Sequence, residues 1–311
     1  MPELPEVETM RRGILPILGC RITSAERPAC TRRPILLQPR IDAFDRRVRD
    51  RVVVNVGRRG KRVTIHLDDS QTIVIEPRMT GLVLLAEPPT TDHLRLRLNL
   101  SAGSTKSSRP NESTGAGEST GSTDLGGPID QLLFWDRRGL GTVRLLHPAE
   151  MASMVDAKLG ADALCITAEQ LRENLGSSRR AIKVALLDQA AVAGIGNLYA
   201  AEILFLAGID PRTRCDKLSR VQWQRIQECT LNVLEDAIEH EGSTLSDGTY
   251  RNALNTEGSY QNHHRVYDRA DVPCGRCGKA NIRRIVQAQR STFFCPICQR
   301  KSGLHETVTI R

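Results

Sequence analysis

The stretch CGRCGKANIRRIVQAQRSTFFCPIC, residues 274–298, carries two C-x-x-C pairs, Cys274/Cys277 and Cys295/Cys298, separated by 17 residues. At that spacing two tight turns can set four thiolates tetrahedrally around one Zn2+. A disulfide framework and a redox pair are the rival readings. No signal-peptide pattern opens the chain, and the remaining cysteines, Cys20, Cys30, Cys165, Cys215 and Cys229, are scattered without regular spacing. One structural zinc is therefore the expectation. Between the pairs, Asn281 to Phe294 reads as two short strands joined by a polar turn, so the metal would clamp a basic hairpin with Arg290 near its tip.

At the other end the chain begins Met1-Pro2-Glu3-Leu4-Pro5-Glu6-Val7-Glu8. Removal of Met1 would leave Pro2 with a free secondary amine. An α-amino group titrates near ~8, so a useful fraction is unprotonated at neutral pH and can attack a carbonyl carbon. A secondary amine then gives a charged iminium, which acidifies the neighbouring C–H and permits elimination. On these residues alone an alternative stands: Pro2 and Pro5 start a helix whose positive end Glu3, Glu6 and Glu8 complement.

Four segments in fixed order, PELPEVET at 2–9, RRGK at 58–61, AGIGNLYAAEILFLAGIDP at 193–211 and QRSTFFCPICQ at 289–299, resemble bacterial formamidopyrimidine-DNA glycosylases. The resemblance runs along nearly the whole chain apart from 101–127. It implies excision of oxidised purines such as 8-oxoguanine and formamidopyrimidines from double-stranded DNA, then strand cleavage by β,δ-elimination. It also implies an α+β fold: an N-terminal helix plus antiparallel β-sandwich, followed by a helical helix-two-turn-helix domain with a zinc-bound β-hairpin.

Composition sets the outer bounds. The chain has 311 residues, enough for two domains, and 40% hydrophobic content supports ordinary cores. No apolar run approaches the ~18 residues of a membrane span, and a cytoplasmic, monomeric protein with no membrane partner is expected. A formal charge of +8 and a pI near 9.2 permit a polyanionic partner without demanding one.

The expected organisation is a catalytic β-rich domain over 1–150, a helical DNA-binding domain over 151–268 and the zinc hairpin over 269–302. Val7, Met10 and Ile14 recur at helical spacing, with Pro16 and Gly19 ending the helix. Val52–Val56, Val63–Leu67, Thr72–Ile75 and Leu82–Leu85 read as strands, and Leu94, Leu96, Leu98 and Leu100 alternate with polar residues over another. Residues 101–127 are almost devoid of apolar side chains, so a disordered insertion lengthening a hairpin loop is expected before the strand signal resumes at Leu132–Trp135. From about 150 the periodicity turns helical, with helices expected over Ala181–Gln189, Asn197–Ala207 and Leu218–His240. The turn Ala193-Gly194-Ile195-Gly196 before Asn197 reads equally well as a phosphate seat at a helix start or as an ordinary capped helix with Asn197 as N-cap. The resemblance favours the phosphate.

Residue by residue, the resemblance implies that Pro2 is the nucleophile, Glu3 the acid assisting sugar-ring opening and Lys61 a lysine reaching toward the lesion; local sequence alone equally allows Lys61 to be a solvated lysine. Asn197 and Arg290 would grip the phosphates beside the extruded nucleotide, and His93 would also touch DNA. Met79 and Arg138 would enter the space the flipped base leaves, although core packing is the commoner fate of a methionine. The third such position departs from the pattern: Leu140, preceded by Gly139, stands where the family usually has a phenylalanine preceded by a second basic residue. Leucine can still wedge between bases but lacks aromatic stacking, worth about 1–3 kcal/mol per base on single-strand platforms. The base-recognition segment Thr244–Tyr267 matches only loosely around Gly258-Ser259-Tyr260. His263 and His264 lie within it, adjacent and without partners at ligand spacing, and are expected at the surface. Two other functions fit the same residues: a glycosylase for oxidised pyrimidines, and a non-catalytic zinc-hairpin protein binding damaged DNA.

Overall fold

The computed structural model describes residues 2–102, 129–245 and 248–300. The expected disordered insertion, 101–127, lies almost entirely outside the described residues. Helix α1 (Leu4–Gly13) starts with Pro5 in its first turn, where the missing N–H costs nothing, and a capping box in which the Glu3 N–H donates to Glu6 Oε2 at 2.8 Å. Val7, Met10 and Ile14 are fully buried, as their spacing predicts, against the sheets that follow.

Those sheets are built from β1 (Arg21–Glu26), β2 (Leu36–Gln38), β3 (Val53–Arg59), β4 (Arg62–Leu67), β5 (Thr72–Glu76), β6 (Gly81–Leu84), β7 (Leu94–Ser101), β8 (Gln131–Asp136) and β9 (Thr142–Leu146). One sheet runs β1-β7-β8-β6, the other β2-β9-β5-β4-β3. All pairs are antiparallel except the three-residue β2–β9 pair. Between β2 and β3 lies α2 (Ile41–Val48), a second helix where one was expected; its Phe44 and Val48 join the common core. Leu96 faces Phe134 and Leu98 faces Leu132 across β7 and β8, so these consecutive strands form one antiparallel pair.

The second half contains α3 (Pro148–Met154), α4 (Ala168–Leu175), α5 (Ile182–Ala185), α6 (Asn197–Leu206) and α7 (Arg220–Glu239). Helix α7 starts at a capping box of Ser219 and Gln222. The helix expected over Ala181–Gln189 contracts to the four residues of α5, because Asp188 turns the chain: its Oδ1 accepts the Ala190 N–H at 3.1 Å and its carbonyl the Ala191 N–H at 3.0 Å. Helix α6, apolar apart from Asn197 and Glu202, is buried from Leu198 to Phe205, between α7 and the hairpin β10 (Arg283–Gln287) and β11 (Arg290–Phe294). Gln287 pairs with Arg290 across a two-residue turn whose Ala288 and Gln289 have φ of +46° and +60°. Positive φ at both central residues matches the strand twist of a tight hairpin and puts Arg290 beside the tip. Leu4, the first helical residue of the chain, packs in the core of the second half and so joins the two halves.

Candidate active site and nucleic-acid interface

Gly194 and Gly196 bring the start of the chain against the start of α6. The Leu4 N–H donates to Gly194 O at 3.1 Å, and Gly194, at φ +113°, leaves room for the Leu4 side chain. The buried Glu3 carboxylate then caps α6: Oε1 accepts the Leu198 N–H at 3.0 Å and Oε2 the Tyr199 N–H at 3.4 Å. A Cβ at Gly196 would sit 2.2 Å from the Glu3 carboxyl carbon, so only glycine admits it. This overturns the phosphate seat expected from these helix N–H groups, because the protein's own carboxylate occupies them. Asn197 is not the N-cap either; Gly196 is. Its amide Nδ2 donates to Ser291 O at 3.1 Å and its Oδ1 accepts from the Lys183 ammonium, tying α6 to the hairpin strand that begins at Arg290.

Two lysine amines lie within the electrostatic reach of the same carboxylate. Lys61 Nζ donates to Ile195 O at 2.8 Å. Burial pushes its pKa down, and the Arg290 and Arg62 charges add to that while Glu3 and Glu6 oppose it. Lys183 is completely buried, and burial with help from Arg290 lowers it to about 8. Lys61 is delivered by its loop: the Arg58 guanidinium bonds Asp162 at 2.6 and 3.0 Å, Glu8 at 3.1 Å and Gly60 O at 3.0 Å. That bidentate pair fastens β3 to the second half of the chain. Arg290 itself is exposed and makes no ion pair among the described residues. Beneath Glu3, the buried Glu6 accepts N–H groups from Glu3 at 2.8 Å and Ser243 at 2.9 Å as well as the Tyr199 hydroxyl, and burial, then the nearby Glu3 charge, raises its pKa.

Pro2 and Met79 line one cleft together with Thr80, Leu82, Ser243, Leu245 and Tyr250. Met79 is half-buried rather than a core residue. The fully buried Asp136 locks its loop to the next one, accepting the Thr80 hydroxyl at 2.5 Å and the N–H groups of Arg138 at 3.2 Å and Gly141 at 2.7 Å. Arg138 and Leu140 project from this second loop into solvent. Gly139 between them has φ +64°, and a Cβ there would lie 2.4 Å from Arg33 O, so the position admits no side chain. His93 stands edge-on to Trp135 at 5.4 Å; its buried Nδ1 has no hydrogen-bond partner among the described residues, and burial, then Arg95, lowers its pKa.

The four cysteines of the two C-x-x-C pairs meet at the base of the hairpin. Their Sγ atoms all lie within 4.8 Å of one another, with Cys274–Cys298 at 3.9 Å and Cys277–Cys295 at 3.7 Å. Zn–S bonds of about 2.3 Å in a tetrahedron put sulfurs roughly 3.8 Å apart. The donor set therefore fits one structural zinc.

Family models match three stretches of the chain: the formamidopyrimidine-DNA glycosylase N-terminal domain over 1–114, its H2TH domain over 159–249 and a zinc finger found in FPG and IleRS over 273–300. The formamidopyrimidine-DNA glycosylase of Chloroflexus aurantiacus is 38% identical over 96% of this chain and 98% of its own. The chain belongs to the formamidopyrimidine-DNA glycosylase family. The Bacillus subtilis member is 35% identical over 97% of this chain and all of its own. The crystal structure of the Thermus thermophilus MutM (Fpg) protein superposes with a TM-score of 0.76 at 31% identity, covering 96% of this chain and 98% of that one. A Lactococcus lactis FPG bound to DNA containing Fapy-dG gives 0.79 at 29%, covering 96% and 100%.

Within this member of the glycosylase family, Glu3, Lys61, Asn197 and Arg290 come together around the start of α6, Pro2 and Met79 share the adjoining cleft, and Arg138, Leu140 and His93 stand on neighbouring loops. His264 is the misplaced residue: it is buried, with Nε2 2.9 Å from Ser243 Oγ, because the turn before it folds back under α7. His263 is exposed as expected but does have ligand-spaced neighbours, Asp236 and His240. Sequence reading picked out Glu6 as a carboxyl near Pro2, and the structure seats it directly beneath Glu3; it missed Lys183 and Asp136, of which Lys183 looks like any helix lysine.

Proposed function

We propose that this chain removes oxidised purines from duplex DNA and then cuts the strand, with the Pro2 amine, freed by loss of Met1, as the nucleophile. The observation that carries the reading is the Glu3 carboxylate, fixed on two helix N–H groups one residue from Pro2, with its charge felt by Lys61 and Lys183. In this account the Pro2 nitrogen bonds to the sugar C1′ as the glycosidic bond breaks and the base leaves with a proton. The amine N–H proton goes with the base, and Glu3, having taken a proton from solvent, delivers it to the ring oxygen, which opens the sugar and leaves an iminium between Pro2 and C1′. The iminium acidifies C2′–H; loss of that proton expels the 3′ phosphate, and a second elimination expels the 5′ phosphate. Water then frees the amine. Because Glu3 is held by backbone, it needs no reorganisation when the charge moves.

Unstacking and flipping the nucleotide costs a few kcal/mol, offset in this reading by Arg290 and Asn197 at the phosphates and by Met79, Arg138 and Leu140 in the vacated stack. His93 would add a contact on the same side. The domain division then follows the chemistry: catalytic sandwich over 1–150, helical DNA-binding unit over 151–268, zinc hairpin over 269–302, acting as a cytoplasmic monomer. No helix among the described residues is long and apolar enough to cross a membrane.

The test is product identity. Duplexes with a single 8-oxoguanine or a single oxidised pyrimidine are incubated with the mature protein, and the free base is identified by mass spectrometry. Release of 8-oxoguanine with strand scission is expected. Preferential release of the pyrimidine would move the chain to the other substrate class, and tight binding without release would make it a binder.

A further inference from the structure

Asp236 and His240 lie one turn apart on the outer face of α7, and His263 reaches the same spot from the short turn Tyr260–His263, which the chain makes after leaving the cleft. One donor atom from each of the three lies within 4.8 Å of one from each of the others, and the two imidazole rings are 3.9 Å apart between centroids. His240 Nδ1 stands 2.8 Å from the Asp236 carbonyl oxygen. A hydrogen on Nδ1 satisfies that carbonyl and leaves the Nε2 lone pair outward, the arrangement by which a second hydrogen bond orients a metal-binding imidazole. Asp236 Oδ1 is 3.2 Å from His240 Nδ1 and its Oδ2 3.5 Å from Arg265 Nη2, and Arg265 also reaches Glu202 at 3.9 Å; Tyr260 adds a ring stacked on His263 at 6.0 Å.

We propose that Asp236, His240 and His263 form a second, solvent-facing site for a divalent transition metal such as Zn2+, and that its occupant fastens the Tyr260–His263 turn to the last turn of α7. Two imidazoles and one carboxylate, with water completing the shell, suit Zn2+ and its neighbours rather than Mg2+ or Ca2+, which prefer all-oxygen shells. Closing donors from within 4.8 Å to the roughly 3.3 Å of a tetrahedral shell requires only side-chain rotation, and His263 is exposed and free to make it. The join is already begun by backbone, since Ser259 N–H donates to His240 O at 2.9 Å and Tyr260 N–H to Gly242 O at 3.0 Å. The next residue, Ser243, is bonded to Glu6, so the metal would tighten the post on which one side of the cleft stands.

The experiment uses the full chain with its four-cysteine zinc in place. It is dialysed against Zn2+ buffered at micromolar free concentration and its metal content measured, for the wild type, His263→Ala and the double variant His240→Ala/His263→Ala. Two zinc ions per wild-type chain and one per variant are expected. Cobalt substitution separates the sites, because thiolate-to-cobalt charge transfer marks only the cysteine site. Hydrogen exchange at the 259–263 amides should slow several-fold with the second ion in the wild type and stay unchanged in His263→Ala. One zinc per wild-type chain, or a second zinc retained by the double variant, would overturn the site; unaltered exchange in a chain holding two would overturn the fastening.

Discussion

The Glu3 carboxylate accepts the backbone N–H of Leu198 at 3.0 Å, so the third residue of the chain caps a helix that begins 194 positions later. Gly196 makes the approach possible. Gly196→Ala would drive its Cβ into the Glu3 carboxyl carbon, 2.2 Å away, and that carboxylate can withdraw only by giving up its bonds to the Leu198 and Tyr199 N–H groups. A loss of about 1–3 kcal/mol in chemical denaturation is expected, together with loss of base release. Wild-type stability and turnover in this variant would contradict the packing.

Glu3→Gln keeps the shape and one acceptor oxygen for Leu198 while removing the acid. The folded protein should bind lesion DNA as before, and base release should slow by about 10²–10⁴-fold, the usual range for a lost proton donor. Single-turnover kinetics are the measurement; a variant within threefold of wild type would remove Glu3 from the chemistry.

Lys183 carries a pH signature. Its folded pKa, about 8, lies below the ordinary 10.5, so at pH 7 the folded state holds a charge that burial disfavours. Between pH 8 and 10.5 the unfolded chain keeps a proton that the folded chain has lost, so this group makes stability rise with pH across that window. The penalty is at most about 3–4 kcal/mol at 1.36 kcal/mol per unit, and solvent screening lowers it. Lys183→Met should thus be more stable than wild type at neutral pH, with the gap closing towards pH 10.5. Denaturant titrations across that range decide it; a gap that widened would reverse the sign.

Arg290→Ala should weaken binding to lesion and undamaged duplex alike, because a phosphate contact carries no base information. The log–log salt dependence of binding should lose about one unit of slope. An unchanged slope would free Arg290 from that role.

Much of this was legible in the chain. The Leu94–Leu100 alternation, the Val7–Met10–Ile14 stripe and the cysteine spacing each encode a local geometry that tertiary packing did not alter. Strand β1 was not legible, because a register shift between Ile22 and Ser24 breaks its alternation and leaves only Ile22 and Ala25 buried. At the site, two groups stood out from local sequence: the thiols, which the fold gathers, and the carboxylate at position 3, which it seats on α6. What could not be read were contacts closed over great chain distance. The α6 start looked open to phosphate because nothing in residues 193–199 reveals that Glu3 fills it. Lys183 likewise acquires its depressed pKa only from burial beside Arg290, 107 positions away.

The central claim, that the amine of Pro2 is the nucleophile, is tested most directly by borohydride trapping. Mature protein is mixed with duplex containing 8-oxoguanine in the presence of borohydride, and the adduct is digested and mapped, alongside a form whose N-terminal extension leaves the Pro2 nitrogen in an amide. The account predicts a covalent link at Pro2, and neither trapping nor strand cleavage from the extended form, which still binds lesion DNA. Efficient trapping by the extended form, with the link at Lys61 or Lys183, would contradict it.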